Sequence, residues 1–282
     1  MVDLSVIVVS FNTKALTKQC LESLLKNLRN YSSNIIYELI VVDNGSVDGS
    51  VDLIEKLKIK DIHNNLKIKF IKNKHNIGFG KANNQALIVV SGKYVLFLNS
   101  DVICQNVNFP ELLRYLDQNQ KVGALTVDVR LGNGHMDPAC HRGFPNIWNS
   151  FCYFLKLEKL GGIFGGYHMI GKDLKKIHKI GSGSGAFFLT RKDLMDKLNG
   201  FDELFFMYGE DLDLSFRIKQ VGYDFIFYPK YQVLHLKHQS GFRKPAFFEA
   251  MLIFYKKNYA KNNFPIINWF VYLIIDLKKK LS

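Results

Sequence analysis

The first hundred residues alternate between short apolar runs and longer segments with helical spacing. Runs typical of buried strands occur at Leu4–Ser10, Glu38–Asp43, Lys67–Ile71 and Tyr94–Leu98. A continuous apolar run indicates a strand covered on both faces, which is how the strands of a parallel sheet are placed. The segments between these runs therefore predict the covering helices.

Helical spacing is clearest in the first of these segments, where Leu16, Cys20, Leu24 and Leu28 form one stripe. The pattern predicts three helices, over Lys14–Leu28, over Gly45–Lys58 with Ser46 or Asp48 as its cap, and from about Gly78 to Val90. This β-α-β-α order implies an α/β fold with a mostly parallel, Rossmann-like sheet and right-handed crossovers.

The pattern changes in the second half of the chain. Residues 132–183 lose clear periodicity and are rich in glycine, histidine and aromatic residues, which predicts a partly helical insertion over one face of the sheet. Regular elements then resume as strands at Gly185–Thr190, Asp224–Tyr228 and Tyr231–His235 and helices at Arg191–Leu198, Asp211–Val221, Pro245–Tyr259 and Ile266–Lys280. We therefore divide the chain into a domain of residues 1–242 and a C-terminal helical extension of residues 243–282.

Composition narrows the class of protein. With 282 residues, 48% hydrophobic residues and six prolines, the chain can bury a large core as one α/β unit. Its four cysteines are scattered without metal-ligand spacing, which is typical of reduced, buried thiols. The run Leu4–Val9 is too short to span a bilayer and lacks signal-peptide flanks, so we expect a buried strand in a cytoplasmic protein.

The net charge of +13 requires a partner or a reason. Nucleic acid, anionic lipid and phosphorylated small molecules are candidates. The lysines are spread along the whole chain and no aromatic-plus-basic recognition motif is present, which argues against nucleic acid.

Polar residues follow three of the predicted strands, at Ser10–Asn12, Asp43–Ser46 and Asn99–Asp101. Ligands of open α/β sheets bind beyond the carboxyl ends of the strands. Asp43 could accept a hydrogen bond from the imide N–H of uracil or thymine or from a ribose hydroxyl, and the alternative is a turn and helix cap. Asp101 would suit Mg²⁺ or Mn²⁺ on a diphosphate, and the alternative is a cap for a helix after Val102.

The glycine-rich loop from Asn76 through Gly78 to Gly80 precedes a predicted helix. Glycine allows close backbone approach to a ligand and a helix N-terminus favours phosphate, but so short a motif favours a simple loop as the explanation. His235 ends a predicted strand and is a structural histidine unless Asp101 needs it as a partner; His238 is a second candidate.

Three carboxylates cluster at Glu210, Asp211 and Asp213, after an aromatic stretch and at the start of a helix. An exposed N-terminal turn stabilised by the helix dipole would explain them, whereas apolar surroundings would raise a carboxylate's pKa and suit it to general-base work. Arg142, within the insertion, could bind a phosphate through charge-assisted hydrogen bonds or could be an ordinary surface arginine.

Six short segments occur in the order found in glycosyltransferase family 2, and the chain resembles the bacterial rhamnosyltransferase-like branch of that family over about residues 3–242. The segments are Ser5–Asn12, Val42–Ser46, Asn76–Gly80, Leu98–Val102, Gly185–Phe188 with Gly200–Asp202, and Glu210–Leu214 leading to His235. The resemblance implies the GT-A fold and an inverting, metal-assisted transfer of a sugar from a nucleotide diphosphate.

The resemblance also implies a role for each matching residue. Asp43 would bind the base, Ser10 and Asn12 would line its pocket, and Asn76 and Gly78 would shape the nucleoside side. Asp101 would hold Mg²⁺ or Mn²⁺ as the last residue of the D-x-D motif, with His235 as second ligand. Asp211 would be the general base, with Glu210 orienting the acceptor or supporting the site.

One departure concerns the metal site. The first D-x-D position is Asn99, as is common in this branch, and the change removes one carboxylate.

The branch implies dTDP-rhamnose as donor and a glycan or polyprenyl-diphosphate-linked acceptor in cell-surface polysaccharide synthesis. A UDP-hexose donor and an inactive sugar-nucleotide-binding scaffold are the alternatives. The apolar segment Phe264–Ile275, followed by Lys278–Lys280, predicts a helix lying in the interface of an anionic membrane, at the inner face of the cell membrane. Packing on the domain or dimerisation would also explain this segment.

Overall fold

The computed structural model describes residues 2–31, 35–60, 65–236 and 244–280. His238 lies outside the described residues. No helix in these ranges is both long and apolar enough to cross a membrane.

The strands lie close to where the apolar runs place them. They are β1 (Val2–Ser10), β2 (Tyr37–Asp43), β3 (Leu66–Lys72), β4 (Gly92–Asn99), β5 (Val102–Cys104), β6 (Val122–Leu131), β7 (His178–Ile180), β8 (Phe187–Arg191) and β9 (Asp224–His235). Side chains of β1 and β2 are almost all buried, as continuous apolar runs predict.

The helices alternate with the strands in the first half of the chain. They are α1 (Lys14–Asn30), α2 (Ser50–Lys60), α3 (Phe79–Ile88), α4 (Phe109–Gln118), α5 (Ile147–Phe154), α6 (Lys192–Lys197), α7 (Glu210–Gln220), α8 (Lys244–Asn258) and α9 (Pro265–Lys280). The predicted stripe of α1 is buried at all four positions.

One sheet runs through the described residues in the order β3-β2-β1-β4-β8-β6-β9-β5, with β7 also paired to β9. The pairs among β1 to β4 are parallel, as predicted for the first hundred residues. Beyond β4 the sheet is mixed, because β8 runs antiparallel to both β4 and β6. Helices α1 and α4 cover one face, and α3, α6 and α7 cover the other.

Two local predictions were wrong, and so was the alternative in which Asp101 caps a helix. Helix α2 begins at Ser50 and not at Gly45, because Gly45 and Gly49 adopt positive φ ahead of it, although Asp48, one of the two predicted caps, accepts from the N–H of Ser50. The segment after Asp101 is strand β5 and no helix, because it pairs with the end of β9. The two strands predicted over residues 224–235 are one strand with a shift in its register against β6.

Helix α4 and strands β5, β6 and β7 were not predicted. The start of α4 carries ordinary signals: the side chain of Asn108 accepts from the N–H of Glu111, and Pro110 lies in the first turn. The insertion after β6 is partly helical, as predicted, with α5 and three short 3₁₀ turns.

The C-terminal helices α8 and α9 lie outside the sheet, as predicted, and pack against each other. Phe254 and Ala250 of α8 form a small apolar cluster with Phe205 and Leu212. The extension therefore packs directly on residues 205–213, which contain the three clustered carboxylates and which we call the acidic segment.

Candidate active site

Three strand ends meet at one edge of the sheet. Ser10 and Asp43 are neighbours in the register of β1 and β2, and Asn99 pairs with Val9 in the register of β4 and β1. The Ser10 hydroxyl bonds to the Thr17 hydroxyl at 2.8 Å. The strand order thus brings together the polar residues that the sequence places at separate strand ends.

Asp43 is fully buried, and its two carboxylate oxygens differ. Oδ1 accepts from the backbone N–H groups of Gly45 (3.1 Å) and Ser46 (2.9 Å), which is the turn-capping arrangement. Oδ2 has no hydrogen-bond partner among the described residues. An unpaired buried carboxylate oxygen costs free energy, so Oδ2 is available to accept a hydrogen bond from a ligand N–H or O–H.

The loops after β1 and β2 are joined by Asn12, which adopts a positive φ of 51°. Its Oδ1 accepts from the N–H of Val47 at 2.9 Å, and its own N–H donates to Ser46 Oγ at 2.9 Å. Asn12 therefore shapes the wall beside Asp43.

The glycine-rich loop is held from two sides. Asn44 donates to Asn76 Oδ1 at 3.0 Å, and Asn76 Oδ1 also accepts from the N–H of Gly78 at 2.9 Å. A Cβ on Gly78, whose φ is +94°, would lie 2.8 Å from the carbonyl oxygen of Phe206. Glycine is required here because the loop touches the backbone of the acidic segment.

Asp101 and His235 meet where β5 pairs with the end of β9. His235 Nε2 lies 3.2 Å from Asp101 Oδ1, and His235 Nδ1 lies 2.9 Å from Asp137 Oδ2. Asp137 reaches this position because the chain turns back after β6, where its N–H bonds to the Val129 carbonyl. Burial acts against the charged imidazole, but the hydrogen bonds to Asp101 and Asp137 outweigh it and raise the pKa of His235 to about 9.

Asp101 and His235 are the residues of this arrangement that could hold a metal ion. A carboxylate on one imidazole nitrogen leaves the other nitrogen for a cation, and oxygen and imidazole ligands suit Mn²⁺. Within the described ranges no group of three or more His, Cys, Asp or Glu side chains could hold a metal ion. The protein therefore offers two donors, Asp101 and His235, and phosphate oxygens of a ligand would have to complete the coordination. Asn99, between the strand and Asp101, keeps a buried Oδ1 with no partner in the described chain.

Glu210 and Asp211 begin α7 after two residues with positive φ, Tyr208 (68°) and Gly209 (80°). Such backbone is uncommon for tyrosine and marks a functional segment in many proteins. Glu210 is buried, and its Oε2 has no hydrogen-bond partner in the part of the chain described. Burial and the neighbouring Asp211 carboxylate raise the pKa of Glu210 to about 8, against the opposing effects of its own N–H and of Arg142.

Asp211 is held by residues far away in sequence. Its Oδ2 accepts from Arg142 Nη2 at 3.2 Å and from the N–H of Gly185 at 3.3 Å. The Arg142 side chain is 13% exposed, so the surface-arginine alternative is wrong. Arg142 Nη2 also donates to the Gly183 carbonyl at 2.7 Å. The phosphate contact predicted for Arg142 stays a prediction.

Asp213 has a different environment from its two neighbours. It is fully buried and pairs with Arg217 Nε at 2.7 Å and Lys257 Nζ at 2.8 Å. These bonds join α7 to α8, which makes Asp213 a structural residue. The structure thus separates three carboxylates that the sequence presents as one cluster.

Sequence reasoning missed three contributors to the site: Asn44, Asp137 and Gly185. Asn44 and Gly185 lie inside motifs that were noted, but their contacts cross 32 and 26 residues of sequence. Asp137 bonds to His235 across 98 residues, and no local pattern signals such a pairing.

The family models and the curated relatives described below are all glycosyltransferases. Residues 5–197 match Glycosyl transferase family 2, and residues 167–248 match Glycosyl transferase family group 2. Rhamnosyltransferase WbbL of Escherichia coli K12 is 25% identical over 238 residues, which cover 72% of this chain and 84% of that protein. An N-acetylglucosaminyl-diphospho-decaprenol L-rhamnosyltransferase of Mycobacterium tuberculosis is 25% identical over 235 residues, covering 74% and 69%.

Among solved structures, mannosyltransferase PcManGT from Pyrobaculum calidifontis in complex with GDP-Man and Mn²⁺ superposes with a TM-score of 0.61 at 17% identity. The match covers 93% of this chain and 65% of that one. At this identity the likeness establishes the shared GT-A fold alone.

Proposed function

This chain belongs to glycosyl transferase family 2, and on that premise we propose that it transfers a sugar, with inversion, from a nucleotide diphosphate to an acceptor hydroxyl. One observation carries the proposal. The acid pair Glu210–Asp211 and the pair Asp101–His235 lie at the same edge of the sheet. They are connected through the backbone of Gly185 and Ala186. Gly185 donates to Asp211, and the next residue, Ala186, accepts from the N–H of Asn99.

Asp211 is the proposed general base. It takes the proton of the acceptor hydroxyl while that oxygen bonds to the anomeric carbon. The bond from this carbon to the diphosphate oxygen breaks on the opposite face, so the configuration inverts and the negative charge leaves with the diphosphate. The ion pair with Arg142 orients Asp211 until the acceptor arrives.

Asp101 and His235 are the residues that would hold Mg²⁺ or Mn²⁺, and the buried bond from Asp137 would fix the imidazole. When bound, the ion neutralises charge developing on the diphosphate. The Mn²⁺ in the related mannosyltransferase structure supports this choice.

We propose dTDP-rhamnose as donor, on the strength of the two rhamnosyltransferase relatives. A UDP-hexose is the competing donor, because the free Oδ2 of Asp43 could accept from the imide N–H of either thymine or uracil. The acceptor is a glycan or a polyprenyl-diphosphate-linked glycan in cell-surface polysaccharide synthesis, as the name of the mycobacterial relative suggests. Such an acceptor places the enzyme at the inner face of the cell membrane.

A donor panel tests the proposal. Thermal shifts are measured with dTDP- and UDP-sugars, with and without Mn²⁺, for the native chain and for Asp43→Asn. We expect one donor to raise the Tm in a Mn²⁺-dependent way and the variant to lose most of that shift. Radiolabelled transfer from the same donor then separates an enzyme from an inactive sugar-nucleotide-binding scaffold, which would show the shift without transfer.

A further inference from the structure

Helix α9 is apolar on the face that it turns to solvent. Its exposed positions follow helical spacing and form one stripe of Ile266, Trp269, Phe270, Leu273, Ile274 and Leu277. The opposite face carries Ile275, which is buried, and Tyr272, whose ring contacts Tyr255 of α8. A surface helix of a monomeric soluble domain carries polar residues on its outer face, so this stripe needs a partner.

A second exposed apolar stripe lies on α5, in the insertion. Ile147, Trp148, Phe151 and Leu155 are all roughly half exposed. The 3₁₀ turns that follow add Leu160 and Ile163, which are 70% and 73% exposed. Neither stripe contributes to the core.

The two helices lie close together at both ends of α5. Ile147 and Trp148, at the start of α5, line a surface cleft together with Tyr259 and Asn263, which precede α9. At the other end, Lys278 Nζ of α9 lies 5.8 Å from the ring centre of Phe154, the last residue of α5. We call the combined surface of α5 and α9 the apolar platform.

Lysines outnumber carboxylates in the two segments that carry the apolar platform. Residues 147–179 contain six lysines against Glu158 and Asp173, and α9 ends in Lys278–Lys280 after a single Asp276. Apolar side chains with lysines at their border are the signature of a surface that enters the interface of an anionic bilayer. A second copy of the chain would bring the same lysines face to face, which disfavours a dimer through this surface.

Both halves of the platform are connected to the start of α7. Arg142, which bonds to Asp211, precedes α5 by one short loop. On the other side, Lys257 of α8 bonds to Asp213, and Tyr208 stacks edge-on against Phe247 of α8. The chain therefore links the platform to the start of α7 through both the insertion and the extension.

We propose that α5 and α9 together dock the protein on the anionic leaflet of a membrane, so that the acceptor side of the site opens at the lipid surface. The insertion, and not the C-terminal helix alone, is then part of the docking surface. The proposal gains its biological sense from the lipid-linked acceptor proposed above, but docking itself does not require transferase activity.

Vesicle flotation of the full chain tests the docking. The vesicles are phosphatidylcholine alone and phosphatidylcholine with about a third phosphatidylglycerol. The variants are Trp269→Ser with Phe270→Ser on α9, and Ile147→Ser with Phe151→Ser on α5. The matched control is Ile88→Ser with Leu204→Ser, which removes two apolar side chains that are 84% and 69% exposed but lie outside the platform.

We expect the native chain and the control to float with anionic vesicles, and each platform pair to partition about tenfold more weakly or worse. Circular dichroism and the donor-induced thermal shift verify that every variant is folded and binds donor. Loss of flotation in the α9 variant alone would overturn the role of α5. Equal flotation of all variants, or a dimer in light scattering that the platform variants dissociate without any vesicle binding, would overturn docking as a whole.

The same panel separates docking from function. Flotation without transfer from any donor removes the proposed function and leaves the platform. Transfer to a water-soluble acceptor by a chain that never floats keeps the function and removes the platform.

Discussion

The two acidic centres of the site differ in how their charge is balanced. At the end of β9, the His235 imidazole lies between Asp101 and Asp137, and both carboxylates are within 3.2 Å of it. At the start of α7, Asp211 is paired with Arg142, but Glu210 beside it has a buried oxygen without a partner in the described chain. In the first centre each of the two carboxylates has the imidazole as a partner, whereas the second keeps one buried carboxylate oxygen without a partner among the described residues.

The largest expected effect comes from Asp211→Asn, which removes the proton acceptor from the second centre. Transfer should fall by about 10²- to 10⁴-fold, the usual contribution of a positioned general base. The donor-induced thermal shift should persist, because the donor side of the site is unchanged. Initial rates with saturating donor measure the loss, and normal turnover in this variant would remove Asp211 from the mechanism.

Asp213→Asn sharpens the contrast, since it lies two residues along the same helix. It weakens the bonds of Arg217 and Lys257 to a buried carboxylate, which should cost about 1–3 kcal/mol, because Lys257 keeps its ion pair with Asp202 and Arg217 keeps its bonds to two backbone carbonyls. We expect a clear fall in the free energy of unfolding, measured in urea, with turnover per folded molecule nearly unchanged at low temperature. A variant that keeps its stability but loses turnover would place Asp213 in the chemistry instead.

Asp137→Asn tests the first centre. Loss of the carboxylate that fixes His235 should weaken Mn²⁺ binding by about 10- to 100-fold, as for other residues that orient a metal ligand. Electron paramagnetic resonance of free Mn²⁺, in the presence of a nucleoside diphosphate, measures the affinity directly. Asp128→Asn is the control, because its carboxylate pairs with Arg130. Equal affinity in the two variants would exclude a positioning role for Asp137.

The strand-end residues of the site are predictable from the sequence, but the partners that set their environment are not. Ser10, Asp43, Asn99 and Asp101 follow apolar runs, and a parallel sheet places such strand ends at one edge without further information. The partners that give each centre its character come from elsewhere in the chain. Asp137 reaches His235 across 98 residues, and Arg142 reaches Asp211 across 69. Local periodicity encodes elements, whereas these contacts depend on how the insertion folds back on the sheet.

Secondary structure shows the same difference between local and distant determinants. The buried stripe of α1 was predictable because the apolar residues of one helix face recur every three to four residues. Strand β5 was not, because three residues become a strand only when the end of β9 lies beside them.

The smallest effect is expected from Glu210→Gln, which removes the charge that Glu210 can carry and keeps nearly the same side-chain shape. The raised pKa of Glu210, about 8, means that the folded state favours its protonated form. Its contribution to stability is therefore fully present below the ordinary carboxyl pKa of about 4.3 and is lost as the pH rises towards 8. Glutamine cannot ionise, so the Tm of the variant should gain on that of the native chain across this range and change little below it. Transfer at pH 7 should fall by less than about tenfold, because glutamine resembles the protonated carboxyl. Parallel Tm curves from pH 5 to 9 would mean that Glu210 is ionised throughout, and the contrast between the two centres would then rest on Asp211 alone.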